Sequence, residues 1–353
     1  MREYQRNATA MIGAAPKSVS GHRAEIEMLR INAISCAWKF SLVFLLLTGV
    51  LPFARAVIFY STGGLNYNTT APSGSLAGSG WQWVGSWIGF QAVPIGPFHF
   101  LAAHHIGGAV GDVFVLNGIS YTTTAFFDDP ASDLRIWQVS AAFSSWAPLY
   151  RTGDEVGRGL VVFGRGLTRG GAISVNGALK GWYWGASDGR LRWGQNTVAT
   201  TFNGGSYWGE LLYATFDQTG GVNEADLASG DSSGPVFIND GTGWKLAGVA
   251  ATVDSYFNTT NSGSGFIAAL FDASGLYYSP TNGSPWSLIP GPGPVPSGFY
   301  ATQVSVRAAW IDSIVAPVPD DVPLLSGPQM AVFLAALAGG GAFFLRRAKT
   351  APS

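Results

Sequence analysis

The sequence predicts an all-β fold, either a barrel or a sandwich, on three observations. Short runs of strand-forming residues, for example 111–126, 157–166 and 243–253, recur at close intervals and are broken by Gly, Asn and Pro. The steps Asn117-Gly118 and Asn176-Gly177 are typical of tight hairpin turns, because Asn and Gly tolerate a positive φ. The chain also has 48 glycines, 13 tryptophans and only 12% charged residues, which suits β-structure with many turns better than a helical bundle.

One helix is predicted, near the end of this β-rich region. Residues 301–316 carry an apolar stripe at helical spacing, formed by Val304, Ala308, Ile311 and Val315. Before it, Asn, Gly and Pro cluster over residues 258–296, which predicts a long irregular excursion.

Residues 1–56 are predicted to be an N-terminal extension and a secretory signal peptide. An apolar run over residues 40–56 follows a lysine and ends in the small-x-small triplet Ala54-Arg55-Ala56, as a signal cleavage site requires. Met28 makes a more ordinary start for such a signal than Met1, and cleavage places the mature N-terminus near Val57. The single cysteine, Cys36, lies in this segment, so the mature chain is predicted to have no disulfide.

The C-terminal end is predicted to be a Pro-rich linker, residues 316–323, and a transmembrane or sorting segment, residues 324–353. Its apolar stretch is long enough to span a bilayer, and the basic residues after it would stay on the cytoplasmic side. Residues 317–349 resemble the C-terminal sorting signals of Gram-negative bacteria, the PEP-CTERM and Val-Pro-Asp types. We therefore expect an exported protein of the cell envelope or the extracellular space, anchored by this helix before any sorting cleavage.

The composition excludes several classes of partner. A formal net charge of -1 leaves no basic surface for nucleic acid. Only four histidines are present, and no cysteine pattern supplies further zinc ligands, so neither a metal site nor a cofactor is predicted.

The candidate catalytic residues lie in three short segments. In 100–108, an apolar strand ends in two alanines followed by His104 and His105, which places an imidazole at the rim of a barrel. Asp133 directly begins the strand Leu134-Arg135-Ile136-Trp137, where a partly buried carboxylate can orient a histidine. The third segment, 227–237, holds the adjacent serines Ser232 and Ser233 in a small-residue turn. Asp128 and Asp129 precede a proline and are interpreted as turn residues, and His99 as a strand residue.

Taken in order, these segments resemble the trypsin-like (chymotrypsin-fold) serine proteases. Leu101-Ala102-Ala103-His104 is similar to the family's Thr-Ala-Ala-His, and Asp133-Leu134 to its Asp-Ile-Ala-Leu. Residues 230–235 are similar to Gly-Asp-Ser-Gly-Gly-Pro, and 298–315 to the closing Gly-Val-Tyr strand and terminal helix. The resemblance implies two six-stranded antiparallel Greek-key β-barrels with a C-terminal helix, in a domain over residues 57–315.

The resemblance also implies a set of roles and a substrate. Ser232 would be the nucleophile, His104 the general base and Asp133 the group that orients it, with the N–H groups of Gly230 and Ser232 as the oxyanion hole. A protein or peptide would be the substrate, and the enzyme is expected to be monomeric.

Departures from the family pattern concern the substrate pocket and the activation step. Asp226 stands six residues before Ser232, where family members that select Arg or Lys carry an aspartate. Ala251-Thr252-Val253 replaces the usual Ser-Trp-Gly wall. No Arg-Ile-Val-Gly-Gly activation site is present, so Asp231 is expected to pair with an internal group or with the amine of Val57 made by signal cleavage.

Two other functions remain open from the sequence. One is a non-catalytic surface binding or structural protein on a trypsin-like scaffold. The other is a glycan-binding β-sandwich, which rests only on the Trp and Gly content.

Overall fold

The computed structural model describes residues 57–315, and the part up to Ile311 belongs to one compact unit. A short first strand, β1 (Ile58–Phe59), precedes six strands: β2 (Gly85–Trp87), β3 (Phe90–Gly96), β4 (His99–Ala103), β5 (Val113–Leu116), β6 (Ile119–Asp128) and β7 (Leu134–Val139). These six antiparallel strands close into a barrel in the order β2-β3-β4-β7-β6-β5. Its interior is filled by buried aromatic side chains, among them Trp87, Phe100, Phe114 and Trp137.

The rest of the chain supplies the other strands: β8 (Gly159–Gly164), β9 (Leu167–Val175), β10 (Ala178–Ser187), β11 (Arg192–Thr197), β12 (Thr200–Asn203), β13 (Glu210–Thr215), β14 (Ala225–Asp226), β15 (Pro235–Asn239), β16 (Trp244–Val253), β17 (Phe257–Asn258), β18 (Ala268–Leu270), β19 (Tyr277–Tyr278), β20 (Ser287–Leu288) and β21 (Gly298–Gln303). Two α-helices occur in the described part, α1 (Gly205–Trp208) and α2 (Ala308–Ile314).

The second half is a seven-stranded sheet in the order β11-β8-β15-β16-β21-β13-β12, and not the six-stranded barrel that the resemblance implies. Smaller sheets flank it: β1 with β14, β18-β10-β9, and β17-β19-β20. The strands that follow Val253 build a separate apolar cluster that includes Phe257, Leu270 and Tyr278. The excursion before the last strand is therefore a small packed layer with its own apolar core. From its composition, this part of the chain was predicted to be irregular.

Both Asn-Gly steps form the predicted turns. Leu116 pairs with Ile119 and Val175 with Ala178, each across a two-residue loop. In these loops Asn117 and Asn176 both have φ of 50°, and the following glycines are also left-handed. Left-handed geometry at both central positions matches the right-handed twist of the strands, which is why Asn-Gly marks such hairpins.

The predicted last helix is shorter than its stripe. Residues up to Gln303 belong to β21, and α2 begins only at Ala308, after a 3-10 turn over Ser305–Arg307. Val304 and Ile311 are nonetheless fully buried, so the stripe marks the packed side of the segment although half of it is not α-helical.

The predicted signal peptide, linker and transmembrane segment lie outside the described residues. Within residues 57–315, no helix is both long and apolar enough to cross a membrane.

The buried side chain of Glu224 makes the free energy of unfolding depend on pH. Its side chain is buried, accepts the backbone N–H of Asp217, and has its pKa raised to about 8, chiefly by burial. Between its ordinary pKa of 4.5 and about 8, the folded state binds more protons than the unfolded chain. The free energy of unfolding therefore falls as pH rises through this range.

We expect Glu224→Gln to flatten that fall, since glutamine keeps an acceptor for the Asp217 N–H and does not titrate. One pKa unit corresponds to about 1.4 kcal/mol, so the effect should be clear in urea unfolding at pH 5, 7 and 9. Glu210→Gln, at the partly exposed first position of β13, is the matched control. An unchanged pH profile in Glu224→Gln would show that Glu224 does not titrate in this range.

Candidate catalytic site

Asp133 lies at the start of β7, is fully buried, and binds one histidine through both carboxylate oxygens. Its Oδ2 lies 2.5 Å from Nδ1 of His105, and its Oδ1 accepts the backbone N–H of His105 at 2.8 Å. The imidazole stays 20% exposed. A buried carboxylate holds the ring orientation and stabilises the cationic ring, so His105 is arranged as a general base needs to be.

This geometry corrects the expectation that Asp133 holds His104. The backbone N–H of His104 donates to the carbonyl of Asp133, but its ring turns away, is 40% exposed and lies 3.8 Å from Asp128. The physical reason is where β4 ends. Ala103 is the last strand residue, and a 3-10 turn over His104–Ile106 swings the second histidine, not the first, over the carboxylate.

The turn before Asp133 is held by a second carboxylate. Asp129 accepts Ser132 Oγ at 2.6 Å and Arg307 Nε at 2.6 Å, and its carboxylate has no exposed surface. Asp128, by contrast, is half exposed and pairs with Arg135. Asp128 and Asp129, both interpreted from the sequence as turn residues, therefore differ. Only Asp129 ties the turn to Arg307, directly before α2.

Helix α1 covers the histidine. The Trp208 ring meets the His105 ring edge-on, with centroids 5.7 Å apart. Burial and, second, the charge of Asp133 raise the pKa of Tyr207, which places this residue close to the same pair. Four residues between glycines are too few to show a helical period, so helix α1 could not be predicted from the sequence.

The two serines of the 229–235 loop have different environments. Ser233 is 1% exposed, has φ of 65°, and its Oγ accepts the backbone N–H of Ala103 at 2.9 Å. Ser232 is partly exposed. Ser233 thus ties the loop to the end of β4, two residues from His105, and leaves Ser232 as the accessible hydroxyl.

No hydrogen bond joins Ser232 to either histidine among the residues that the structure describes. Such bonds are often long in ligand-free sites and tighten when substrate binds.

Asp231 turns its carboxylate inward beneath the serines. Oδ1 accepts the N–H of Gly166 at 2.7 Å, and Oδ2 accepts that of Ala228 at 2.8 Å. The backbone nitrogen of Val57 lies 3.4 Å from the same Oδ2. Burial raises the pKa of Asp231 to about 7, and the three backbone donors oppose that rise.

The backbone N–H groups of Gly230 and Ser232 have no acceptor within the described part of the chain. Gly230 has φ of 91°, which L side chains rarely adopt, and a Cβ there would lie 2.8 Å from Gly166 Cα. The loop is therefore packed backbone to backbone against the end of β8, with two donors left for a ligand.

A substitution at Gly166 tests this backbone packing. A Cβ on Gly166 would come within 2.6 Å of Asp231 N and 2.8 Å of its carboxyl carbon. We expect Gly166→Ala to displace the 229–231 loop and to lower stability by about 1–3 kcal/mol, the usual range for overpacking. Urea unfolding checks the stability, and the rate of reaction with a serine-directed probe checks the loop. Gly159→Ala, where a Cβ meets nothing within 4 Å, should change neither.

A pocket of about 190 Å³ opens beside Ser232, and three of the four residues predicted for it lie in its wall: Ala251, Thr252 and Val253. The fourth, Asp226, does not. It pairs with Ile58 in the β1–β14 sheet, is 2% exposed, and accepts the Leu227 N–H and, at 3.4 Å, Ser297 Oγ. Strand pairing with β1 draws this carboxylate into the interior, which spacing from Ser232 alone did not reveal.

Comparison with known proteins gives structural likenesses but no family. No protein-family model matches the chain, and no curated protein matches it either. Among solved structures, the chain is similar to neuropsin, a serine protease expressed in the limbic system of mouse brain, at 14% identity and a TM-score of 0.42. That match covers 67% of this chain and 95% of neuropsin. The chemistry of the candidate site rests on its own geometry.

Proposed function

We propose that the protein is a serine endopeptidase with His105, Asp133 and Ser232 as its catalytic residues. Ser232 Oγ bonds to the scissile carbonyl carbon while His105 takes its proton. His105 then returns the proton to the leaving amine as the C–N bond breaks, and water hydrolyses the acyl-enzyme by the same route. Asp133 orients the ring and stabilises its cationic form.

The observation that carries the proposal is the double contact between Asp133 and His105. A buried carboxylate that binds both Nδ1 and the backbone of one histidine leaves Nε2 as the nitrogen for proton transfer. Ser233 fixes the serine loop to the end of β4, two residues from His105, which supports Ser232 as the partner of that nitrogen. The unpaired N–H groups of Gly230 and Ser232 supply donors for a developing oxyanion.

A fluorophosphonate probe tests the proposal, because it reacts with activated serines. We expect the wild-type protein to be labelled and Ser232→Ala not to be labelled. Ser233→Ala should keep the label but react more slowly, because it loses the bond to the Ala103 N–H. Labelling that survives Ser232→Ala would overturn the assignment. Absence of labelling in the wild-type protein would favour the non-catalytic surface protein.

We further propose that the enzyme acts outside the cytoplasm, either at the cell envelope or after release. The apolar run that ends at Ala56 and the apolar stretch after residue 323 support this proposal. N-terminal sequencing of the exported protein should give Val57 as the first residue.

A further inference from the structure

The pocket beside Ser232 has the position of a substrate side-chain site. Ser232 lines it together with residues 250–253 at the end of β16. A side chain next to the scissile bond must lie against the nucleophile, so this pocket would receive the residue on the acyl side, P1.

Most residues in the wall of this pocket are apolar. Leu227, Ala228, Ala250 and Ala251 are all buried, whereas Ser232, Thr252 and Val253 are partly exposed. The polar members of the wall are Asp231, Ser232 and Thr252. The volume of about 190 Å³ includes open solvent at the mouth.

One carboxylate, Asp231, lines this pocket, and two more, Asp226 and Asp254, directly adjoin the lining residues Leu227 and Val253 in the chain. Each of the three accepts hydrogen bonds within the protein. Asp231 accepts two backbone N–H groups and faces Val57. Asp226 faces the interior and is bound to Leu227 and Ser297. Asp254 directly follows Val253, but it is 2% exposed and accepts the hydroxyls of Tyr213 and Tyr300 and the Gly298 N–H.

A lysine or arginine in this pocket would therefore lose its hydration without gaining a free carboxylate. An unpaired buried charge is costly, whereas a short apolar side chain gains from burial against the alanines and Val253. A phenylalanine ring is much larger than these side chains, and the partly exposed Val253 is the wall residue that we expect it to meet.

We propose that the site selects a small apolar P1 residue, alanine or valine, over basic and aromatic residues. This inference rests on the proposed function and adds the substrate class to it. It replaces the basic preference that Asp226 suggested from the sequence.

The test is a series of peptides that differ only at P1, which is Ala, Val, Phe, Lys or Arg. The enzyme is the exported protein. We expect kcat/KM for Ala or Val to exceed that for Phe, Lys and Arg by at least about tenfold, since one methylene in a fitted pocket changes rates by about 10–200-fold. Best cleavage after Lys, Arg or Phe would overturn the inference.

Val253→Ala makes the test sharper. Shortening Val253 should raise kcat/KM for the Phe peptide relative to the Ala peptide, and no change in that ratio would count against the pocket.

Labelling with the serine-directed probe separates the P1 proposal from the proposed function. A protein labelled at Ser232 that prefers Arg contradicts the P1 assignment alone. A protein that is neither labelled nor active contradicts the proposed function and the P1 assignment with it.

Discussion

Replacing His105 by alanine is expected to abolish peptide hydrolysis, with a loss in kcat on the order of 10⁴–10⁶. The reason is that the ring of His105, and not that of His104, contacts the buried carboxylate of Asp133, at 2.5 Å through Nδ1. Without the ring, Ser232 has no base to take its proton. The measurement is kcat and KM on a peptide with alanine at P1.

His104→Ala is the matched control, because the two histidines are adjacent and differ only in which one meets Asp133. The His104 ring is 40% exposed and faces Asp128, so we expect its removal to change kcat only a few-fold. The reverse result, with His104 required and His105 dispensable, would restore the pairing that the sequence pattern indicated.

A chain extended upstream of Val57 is expected to be at least about 10²-fold less active than one that begins at Val57. The carboxylate of Asp231 is buried, and burial raises its pKa to about 7. A free amine on Val57, whose nitrogen lies 3.4 Å from this carboxylate, would supply a cationic partner. Breaking a buried ion pair by removing one member costs about 3–5 kcal/mol, which would shift the loop that carries Ser232 and Gly230.

The extended and the Val57 forms can be compared in one protein preparation. A specific protease site placed directly before Val57 allows kcat/KM to be measured before and after the cut. Asp231→Asn should give low activity in both forms. As pH rises and the amine loses its proton, the pair is lost, so the cut form should lose activity at alkaline pH. Equal activity before and after the cut would contradict the role of the Val57 amine and leave backbone donors as the partners of Asp231.

Local chemistry made much of this fold predictable. Asn117 and Asn176 mark hairpins because the turn itself demands left-handed residues. The buried stripe through Val304 and Ile311 was visible from spacing alone. These features depend on a few neighbouring residues, and the sequence contains all of the information that they need.

The choice between His104 and His105 depends on longer-range information. It is set by the residue at which β4 ends, and that end depends on pairing with β7, where Ala103 lies opposite Leu134. Asp226 is similar, because β1, far away in the chain, turns it inward. Helix α1 is too short to have a period, and it reaches His105 only through the fold.

The catalytic assignment is tested best by comparing single and double variants. We would measure kcat/KM on the alanine-P1 peptide for wild type, Ser232→Ala, His105→Ala and the double variant. If the two residues act as one unit, each single change should remove nearly all activity and the double variant should be no slower than either. Losses that multiply in the double variant, or substantial activity in either single variant, would contradict a Ser232–His105 mechanism.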